Sequence, residues 1–561
     1  MSITDHGKTA RPGAKGKTLW RLAIFYFVHG PWKSIKPDNR GDLDPSSGES
    51  SALLAGITDL NAMFRTKLLK KSGIKMINMI LNAEQLVQKG NFKEAYDAFN
   101  DIISKDTTNL RALMGFGVVC FKLTNYQESI CTFRKILEIK DNHIEALKSL
   151  ATVLAAEKLY DECMVVIDKL LSVKKRDPES LAFAAGVFNG LGKTDQAMDK
   201  IESALELTRN NYIKQAEFTD IKSIIMGLPK PSKIKNKPII TVCCVPGMDN
   251  FIHELIKLLS PYAKISASVS TNSEDHVRAI RNSNTVWLEW GNQLTKFLLD
   301  QKALLNNKKV IVRIHNYEVH DNLVDSLDFT AATDIVFVAS YLRDLFLKKH
   351  LPTISNCKIH VIHNGIDTRR FKFVPRTDSK KDIAFLAYIS YKKDPMVLLH
   401  AFAFLAKRHP EIRLHIAGMF QDRRYEIGMP HFIQQAGLTE KVHFYGHINN
   451  ADEWLTDKDF IFSSSLLESQ GVGILEAMSR GCRPLTYNFP GARDLYLPNQ
   501  LWTTFDDLED RFLNGPEPKE VSDFVAKYYT RAREVGSWLK MILNNEQVEE
   551  EFDFSKQIID V

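Results

Sequence analysis

The 561-residue sequence is poor in cysteine. It has only seven, and they form neither a Cys-x-x-Cys pair nor a spacing typical of zinc sites. An odd, unpatterned set of cysteines argues against a disulfide-stabilised secreted fold. The composition therefore predicts a protein of the reducing cytoplasm.

Long apolar runs are also lacking. The most apolar stretch near the N-terminus, Leu19–Val28, covers about ten residues and contains Arg21, so it predicts neither a membrane-spanning helix nor a signal peptide. Its aromatic residues stand beside Lys15 and Lys17, which leaves two interpretations open. The stretch is either a helix at an anionic membrane surface or a helix packed on the protein itself.

Positive charge is scarce outside the N-terminal region. The chain has 74 Lys and Arg against 68 Asp and Glu, a net charge of +6, yet residues 1–75 alone carry +7. We expect a basic, largely disordered tail over residues 1–50 and an amphipathic lead-in helix over 51–75. The nearly neutral remainder, without a repeated basic and aromatic pattern, argues against nucleic-acid binding.

Residues 76–211 repeat with a period of 34. Apolar residues recur at Phe99, Phe133, Ile167 and Ile201, and small residues recur at Ala83, Gly117, Ala151 and Ala185. Thirty-four residues accommodate two helices and two turns. The pattern resembles the tetratricopeptide repeat in about four copies, although the family's Trp-Leu-Gly start is missing. The resemblance implies a groove that binds protein segments, and a solenoid that serves only as a spacer is the alternative.

After a linker over residues 212–237, short β-branched runs alternate with amphipathic segments in two series, 238–363 and 364–517. This alternation predicts parallel sheets covered by helices, one sheet for each series. Ligands of such sheets bind beyond the carboxyl ends of the strands. The residues that follow each apolar run are therefore the candidates for a site.

The segment from Ser463 to Pro484 is the most informative. An apolar strand leads into a polar loop with Glu468, a helix follows, and Glu476 lies in the first turns of that helix. The helix start offers the backbone amides of Gly471, Val472, Gly473 and Ile474. Amides at a helix start suit a diphosphate, and two flanking carboxylates suit sugar and ribose hydroxyls. A nucleotide-sugar meets both requirements. The alternative is that the two glutamates are structural, one capping the helix and the other forming a salt bridge on it.

This arrangement resembles the Glu-x7-Glu signature of retaining GT-B glycosyltransferases of family 4, the group 1 glycosyl transferases. The resemblance implies two Rossmann-like domains, a nucleotide-diphosphate sugar donor, and no metal or other cofactor. It assigns the donor sugar to Glu468 as a catalytic residue, the ribose to Glu476, and the diphosphate to the helix amides and Lys393. Asn364 and Gly446 match further donor-binding positions.

The resemblance is weaker in the first series. His315, after an apolar run, matches the catalytic histidine that the family places beside the donor sugar, and Ser340 and Gly247 match acceptor-side positions. The turn Glu289–Gly291 is interpreted as packing, because a tryptophan after a strand usually fills core. Residues 518–561 resemble the helix that crosses back to the first sheet, followed by an acidic tail.

Two positions depart from the family pattern. Ala387 and Tyr388 stand where the family has Gly-Arg, so one phosphate-binding cation is missing, and Lys392 is a candidate substitute. Asp394 replaces the usual glycine after the lysine. These departures raise a second interpretation, in which the transferase half is degenerate and the repeats carry the function.

The sequence thus predicts a helical solenoid followed by a GT-B fold, in a cytoplasmic enzyme that is peripheral on the inner face of the membrane. It is expected to transfer sugar in cell-surface polysaccharide, lipid-linked glycan or protein glycan synthesis. The expected partners are a nucleotide-sugar donor, a glycan, lipid-linked or protein acceptor, a protein in the repeat groove, and an anionic membrane at the basic N-terminus. The alternative is a tetratricopeptide protein-binding scaffold with an inactive glycosyltransferase domain.

Overall fold

The computed structural model describes residues 75–250, 252–320, 323–350, 354, 356–376 and 381–543. The predicted basic tail, nearly all of the lead-in helix and the acidic tail lie outside the described residues. The chain divides into two compact units, Met1–Ile225 and Met226–Val561.

Helices connected by short turns make up the described part of the first unit. They are α1 (residues 75–88), α2 (Phe92–Lys105), α3 (Leu110–Lys122), α4 (Tyr126–Ile139), α5 (Ile144–Ala156), α6 (Tyr160–Val173), α7 (Pro178–Gly190), α8 (Thr194–Leu207) and α9 (Tyr212–Ile225). The starts of α2, α4, α6 and α8 are 34 residues apart.

The packing of the helices explains this period. A β-carbon at Gly117 would lie 2.7 Å from the Phe133 ring, and one at Gly115 would lie 2.2 Å from the Phe99 ring. Phe99 and Phe133 are fully buried. Small residues of α3 therefore receive large apolar residues of α2 on one side and of α4 on the other, and the residues at these positions recur in the sequence every 34 residues.

The second unit begins with a six-stranded parallel sheet and its helices. Its strands are β1 (Ile239–Cys244), β2 (Lys264–Val269), β3 (Thr285–Glu289), β4 (Lys309–Ile314), β5 (Asp334–Phe337) and β6 (Lys358–Val361), in the order β2-β1-β3-β4-β5-β6. The helices between them are α10 (His253–Leu259), α11 (Ser273–Ile280), α12 (Gln293–Asp300), α13 (Lys302–Leu305), α14 (Asn316–His320) and α15 (Ser340–His350). The central strands are buried along their length, as expected for a parallel sheet covered on both faces.

A second six-stranded parallel sheet follows. Its strands are β7 (Asp382–Leu386), β8 (Arg413–Ala417), β9 (Val442–Gly446), β10 (Phe460–Ser463), β11 (Arg483–Tyr487) and β12 (Leu501–Trp502), in the order β12-β11-β10-β7-β8-β9. Its helices are α16 (Pro395–Arg408), α17 (Arg423–Gln435), α18 (Ala451–Trp454), α19 (Val472–Arg480), α20 (Phe505–Asn514), α21 (Pro518–Tyr528) and α22 (Arg531–Ile542). Both sheets place the carboxyl ends of their strands along one edge.

The C-terminal segment forms two helices, α21 and α22, where one was predicted. Residues between them pair with the start of the second series through a bridge from Thr530 to Ile366. In α22, Trp538 stacks on Trp287 of β3 with ring centroids 3.9 Å apart. The chain therefore returns to the first sheet at its C-terminal end.

Two edge strands were not predicted. β2 reads Lys-Ile-Ser-Ala-Ser-Val and leaves three of its six residues exposed, so it carries no apolar run. β12 has only two residues. Edge strands are defined by the neighbour they pair with more than by their own hydrophobicity.

The predicted fold class is confirmed: a helical region is followed by two Rossmann-like parallel-sheet domains, the layout of a GT-B fold. Within the described ranges, no helix combines the length and the apolar character needed to cross a bilayer.

Candidate active site

The strongest candidate site lies where β10 ends and α19 begins. Gly471, the residue before α19, has φ +73°, and a β-carbon there would lie 2.5 Å from Tyr496 Oη. Glycine is required at this position for both reasons. In the described structure no side chain caps the start of α19, so the amides of Val472 and Gly473 remain available to an anion. The predicted Ile474 amide does not, because it donates to the Gly471 carbonyl at 2.9 Å.

Glu468 and Lys393 meet beside this helix start. The Lys393 Nζ forms an ion pair with Glu468 Oε1, which also accepts a hydrogen bond of 2.8 Å from Ser465 Oγ. The side chains are 24% and 11% exposed, so the pair is largely withdrawn from solvent. Two residues that are 75 positions apart in sequence thus place an ammonium and a carboxylate at one edge of the second sheet.

Backbone contacts hold the Glu468 loop against the Lys393 turn. Ser464 Oγ donates to the Lys393 carbonyl at 2.7 Å, and the Leu466 amide donates to the Lys392 carbonyl at 2.9 Å. Asp394, which replaces the family's glycine, keeps a left-handed conformation with φ +40°, and its Oδ1 accepts from the Val397 amide at 3.2 Å. The aspartate gains a helix cap in exchange for backbone strain.

Glu476 lies in the second turn of α19. Burial raises the pKa of its carboxyl to about 7, against the opposing influence of Arg370 and Arg531. Among the described residues, no hydrogen bond or ion pair within 4 Å holds this carboxyl. A carboxyl of this kind can accept hydrogen bonds from hydroxyl groups when it is ionised.

Ala387 and Tyr388 follow β7 at the same edge. The Ala387 amide donates to the Ala417 carbonyl at 3.1 Å, and a β-carbon at Gly418 would lie 1.8 Å from the Ala387 carbonyl oxygen. The Tyr388 side chain is 56% exposed. The structure therefore places a solvent-facing phenol where the family has a cation, while Lys392 lies half-buried on the adjacent turn.

Gly446 ends β9 with φ +63°, and the nearest atom that its β-carbon would meet is Met419 Sδ at 4.0 Å. Phe444 and Tyr445 beside it are exposed. This open, partly aromatic surface also lies at the carboxyl edge of the second sheet.

His315 follows β4 in the first sheet and is buried. Its Nε2 lies 2.8 Å from Glu289 Oε1, and its ring stacks on Trp290 with centroids 3.8 Å apart. Burial alone would raise the pKa of Glu289, but the Arg313 charge and the His315 hydrogen bond outweigh it and hold that pKa below its ordinary value. The Glu289–Gly291 turn, interpreted from sequence as packing, therefore contacts the candidate histidine directly.

A buried polar network extends from His315 toward the Glu468 loop. Arg313 lies 3.3 Å from Glu289 Oε1 and donates to Asn364 Oδ1 at 2.6 Å. The Gln470 side chain then pairs with the Asn364 backbone, accepting from its amide at 2.7 Å and donating to its carbonyl at 2.8 Å. The predicted residues Asn364 and His315 are thereby joined to the loop before α19.

The two residues predicted on the acceptor side, Ser340 and Gly247, lie in different surroundings. Ser340 Oγ donates to Asp494 Oδ2 of the second sheet domain at 2.9 Å. Gly247 lies in an exposed turn after β1 with φ +84°, and the neighbouring Met248 carbonyl accepts from Trp290 Nε1 at 2.8 Å. Gly247 is thus linked to the His315 region through Trp290, while Ser340 contacts the second domain.

Two residues of this region were missed from the sequence, Gln470 and Tyr341, whose hydroxyl donates to the Glu468 carbonyl, and a third, Glu289, was named but interpreted as packing. A signal existed for Glu289, because a carboxylate inside an otherwise apolar strand requires a partner. Gln470 and Tyr341 carry no such signal, since a polar residue in a loop or at a helix start is ordinary.

Comparison with known proteins identifies a family for part of the second sheet domain. Residues 367–510 match the family model described as "Glycosyl transferases group 1". The match confirms the predicted group 1 resemblance for this domain. The tetratricopeptide identity, the assignment to family 4 and the Glu-x7-Glu signature stay predictions.

Curated relatives match over parts of their length. The chain is 30% identical over 120 residues to an alpha-monoglucosyldiacylglycerol synthase of Streptococcus pneumoniae, which is 21% of this chain and 26% of the relative. It is 30% identical over 178 residues to a mannosylfructose-phosphate synthase of Agrobacterium fabrum, and the match covers 28% of this chain and 37% of the relative. It is 26% identical over 231 residues to a GDP-mannose:cellobiosyl-diphosphopolyprenol alpha-mannosyltransferase of Xanthomonas oryzae pv. oryzae, which is 38% and 58%. The chain thus spans between about a quarter and three fifths of these relatives.

Solved structures resemble the chain distantly. Sucrose-phosphate synthase from Thermosynechococcus elongatus has a TM-score of 0.44 at 12% identity and covers 54% of this chain and 98% of its own. Anabaena HepE in complex with UDP and glucose has a TM-score of 0.38 at 14% identity and covers 57% and 97%.

Proposed function

We propose that the chain is a retaining glycosyltransferase that moves a sugar from a nucleotide-diphosphate sugar to an acceptor. One observation carries the proposal: Lys393 and Glu468 meet beside the uncapped start of α19. A cation and free amides suit a diphosphate, and a carboxylate suits sugar hydroxyls. The family match over residues 367–510 supports the same activity.

In the proposed complex, Lys393 and the amides of residues 471–473 bind the diphosphate, and Glu468 accepts hydrogen bonds from the donor sugar. Glu476 accepts from the ribose, and His315 faces the sugar from the first sheet. The ammonium and the positive end of α19 stabilise the charge that develops on the leaving diphosphate. Charge compensation without a metal ion is therefore part of the proposal.

The protein's contribution to the chemical step is orientation and electrostatic stabilisation. The donor's glycosidic bond to phosphate breaks, and the acceptor oxygen forms the new bond on the same face of the sugar. The departing phosphate accepts the acceptor's proton, so no strongly basic side chain is needed. Retention by this route follows from the family resemblance.

The exposed Tyr388 leaves one cation fewer than the family has at the diphosphate. We propose that Lys392 takes this role, because it lies on the same turn as Lys393 and its carbonyl is fixed by the Leu466 amide. Loss of one charged contact would weaken leaving-group stabilisation without removing the binding site.

We propose that the acceptor is a polysaccharide, a lipid-linked glycan or a protein glycan. The names of two relatives include diacylglycerol or diphosphopolyprenol, which supports a lipid-linked acceptor. The 34-residue spacing of helix starts supports tetratricopeptide repeats, whose groove would bind a protein partner or protein acceptor. The basic N-terminal tail would bring the enzyme to an anionic cytoplasmic membrane face.

A second candidate function is a protein-binding scaffold with an inactive transferase half. The exposed Tyr388 in place of an arginine is the observation that favours it. In that case the repeats would bind a partner while the second unit binds no donor.

Calorimetric titration of the full chain with UDP-, GDP- and ADP-sugars, together with release of the free nucleoside diphosphate, tests the two functions. We expect binding of at least one donor, and at least a tenfold loss of affinity in Lys393→Met, because one charge-assisted contact is removed. Lys407→Met is the matched control, since Lys407 lies exposed near the other end of α16. Absence of binding and turnover across the panel would reject the enzyme and leave the scaffold.

A further inference from the structure

Tyr341, the second residue of α15, belongs to the first sheet domain but contacts the second. Its hydroxyl donates to the backbone carbonyl of Glu468. Its ring lies against Gly491, where a β-carbon would be 2.1 Å from Tyr341 Cδ1, and Gly491 has φ +86°. The side chain therefore spans from one domain to the other and occupies a space that only glycine leaves open.

The carbonyl that Tyr341 contacts belongs to the residue whose carboxylate pairs with Lys393. Within the described structure, the Lys392–Lys393 turn holds this loop from one side, through the bonds of Ser464 and Leu466. Both partners of each of these bonds belong to the second domain. Tyr341 adds a contact from the first domain to the same loop.

Two further features keep Tyr341 in a donating role. Ser340 beside it bonds Asp494, which anchors the start of α15 to the second domain. Burial and the nearby Glu468 charge raise the pKa of the Tyr341 phenol, so it stays protonated at neutral pH. The hydroxyl is thus a constant hydrogen-bond donor.

We propose that Tyr341 is a positioning residue, which holds the Glu468 backbone from the first sheet domain and so directs the Glu468 carboxylate toward the donor sugar. This role rests on the proposed function. Tyr341 acts through Glu468 and not on the reacting atoms. Donor binding by the nucleotide part alone should therefore be independent of it.

The test compares Tyr341→Phe with Tyr529→Phe in the full chain. Tyr529 is a matched control, because its hydroxyl also donates to a backbone carbonyl, that of Leu495, at 2.9 Å. We expect Tyr341→Phe to lower kcat for nucleoside diphosphate release from the donor by about three- to tenfold, the range of one hydrogen bond. The Kd for the free nucleoside diphosphate should change by less than about twofold, and Tyr529→Phe should lower thermal stability without this kcat effect.

Gly491→Ala provides a second variant. Its methyl group would displace the Tyr341 ring, so it should lower kcat at least as much as Tyr341→Phe, and the double variant should equal Gly491→Ala alone. An unchanged kcat in Tyr341→Phe, in a protein that turns over donor, would overturn the positioning role only. Failure of the unmodified protein to bind any nucleotide-sugar would instead reject the proposed function, and this role with it.

Discussion

Glu468→Gln should tighten the binding of a free nucleoside diphosphate while it lowers sugar transfer. The Lys393 ammonium is paired with Glu468 Oε1. A diphosphate must compete with this carboxylate for the same cation. A neutral amide at position 468 would release Lys393 and remove a negative charge from the anion site.

The size of the effect follows from the surroundings of the pair. Glu468 and Lys393 leave 11% and 24% of their side chains exposed, so the contact lies between a surface pair and a buried one. Surface pairs contribute up to about 1 kcal/mol, and hydrogen bonds to charged groups about 1.5–3 kcal/mol. An intermediate value of about 1–2 kcal/mol corresponds to roughly 5- to 30-fold tighter binding.

Calorimetry with UDP, GDP and ADP on the unmodified chain, Glu468→Gln, Lys393→Met and the double variant measures this coupling. The part of the gain that comes from releasing Lys393 should disappear when Lys393 is already methionine, so the effects of the two substitutions should not add. Nucleotide-sugar turnover should fall in the same Glu468→Gln variant, because the donor sugar loses the charged carboxylate that accepts its hydrogen bonds. Equal or weaker nucleoside diphosphate binding by a folded Glu468→Gln protein would refute the competition.

Three further outcomes are expected. Because burial raises the pKa of Glu476 to about 7, above its ordinary 4.5, the stability that its proton contributes is full below pH about 4.5 and is lost as the pH rises through about 7. Glu476→Gln should therefore flatten the pH dependence of the unfolding free energy by about 1–3 kcal/mol, and also that of nucleotide affinity; an unchanged pH profile would contradict the shift. Gln470→Leu leaves the Asn364 amide and carbonyl unpaired, so chemical denaturation should show a loss of about 2–4 kcal/mol, and a neutral result would contradict the pairing. Gly471→Ala should lower both thermal stability and nucleoside diphosphate affinity, because of its φ of +73° and the 2.5 Å approach to Tyr496 Oη; full affinity would show that the loop adapts.

The fold could be predicted to the extent that contacts repeat locally. Gly117 contacts Phe133, and a small and a large apolar residue stand at the same two positions in every repeat and are buried, so the 34-residue period could be read from the sequence. The buried strands were visible as β-branched runs. β2 was missed because three exposed residues hide an edge strand, whose existence depends on pairing with β1.

The candidate site was predictable where its polar residues follow a strand within a few positions of the sequence. Glu468, Glu476 and the glycines of α19 form one continuous motif, and residues after strands share an edge. Their roles in binding stay predictions. The surroundings of His315 were not predictable, because the register of β3 on β4 sets Glu289 against Arg313. The Tyr341 contact with Gly491 joins positions 150 residues apart, a distance that no local pattern spans.

The pairing of Asn364 with Gln470 makes this short segment a natural spectroscopic probe. The amide of Asn364 donates to Gln470 of the loop before α19, and the next amide, that of Gly365, donates to Glu534 of α22 at 2.9 Å. Two adjacent N–H groups therefore report on two different elements. Hydrogen exchange resolved at these two positions would distinguish release of the donor loop, which frees only Asn364, from detachment of the C-terminal helix, which frees only Gly365.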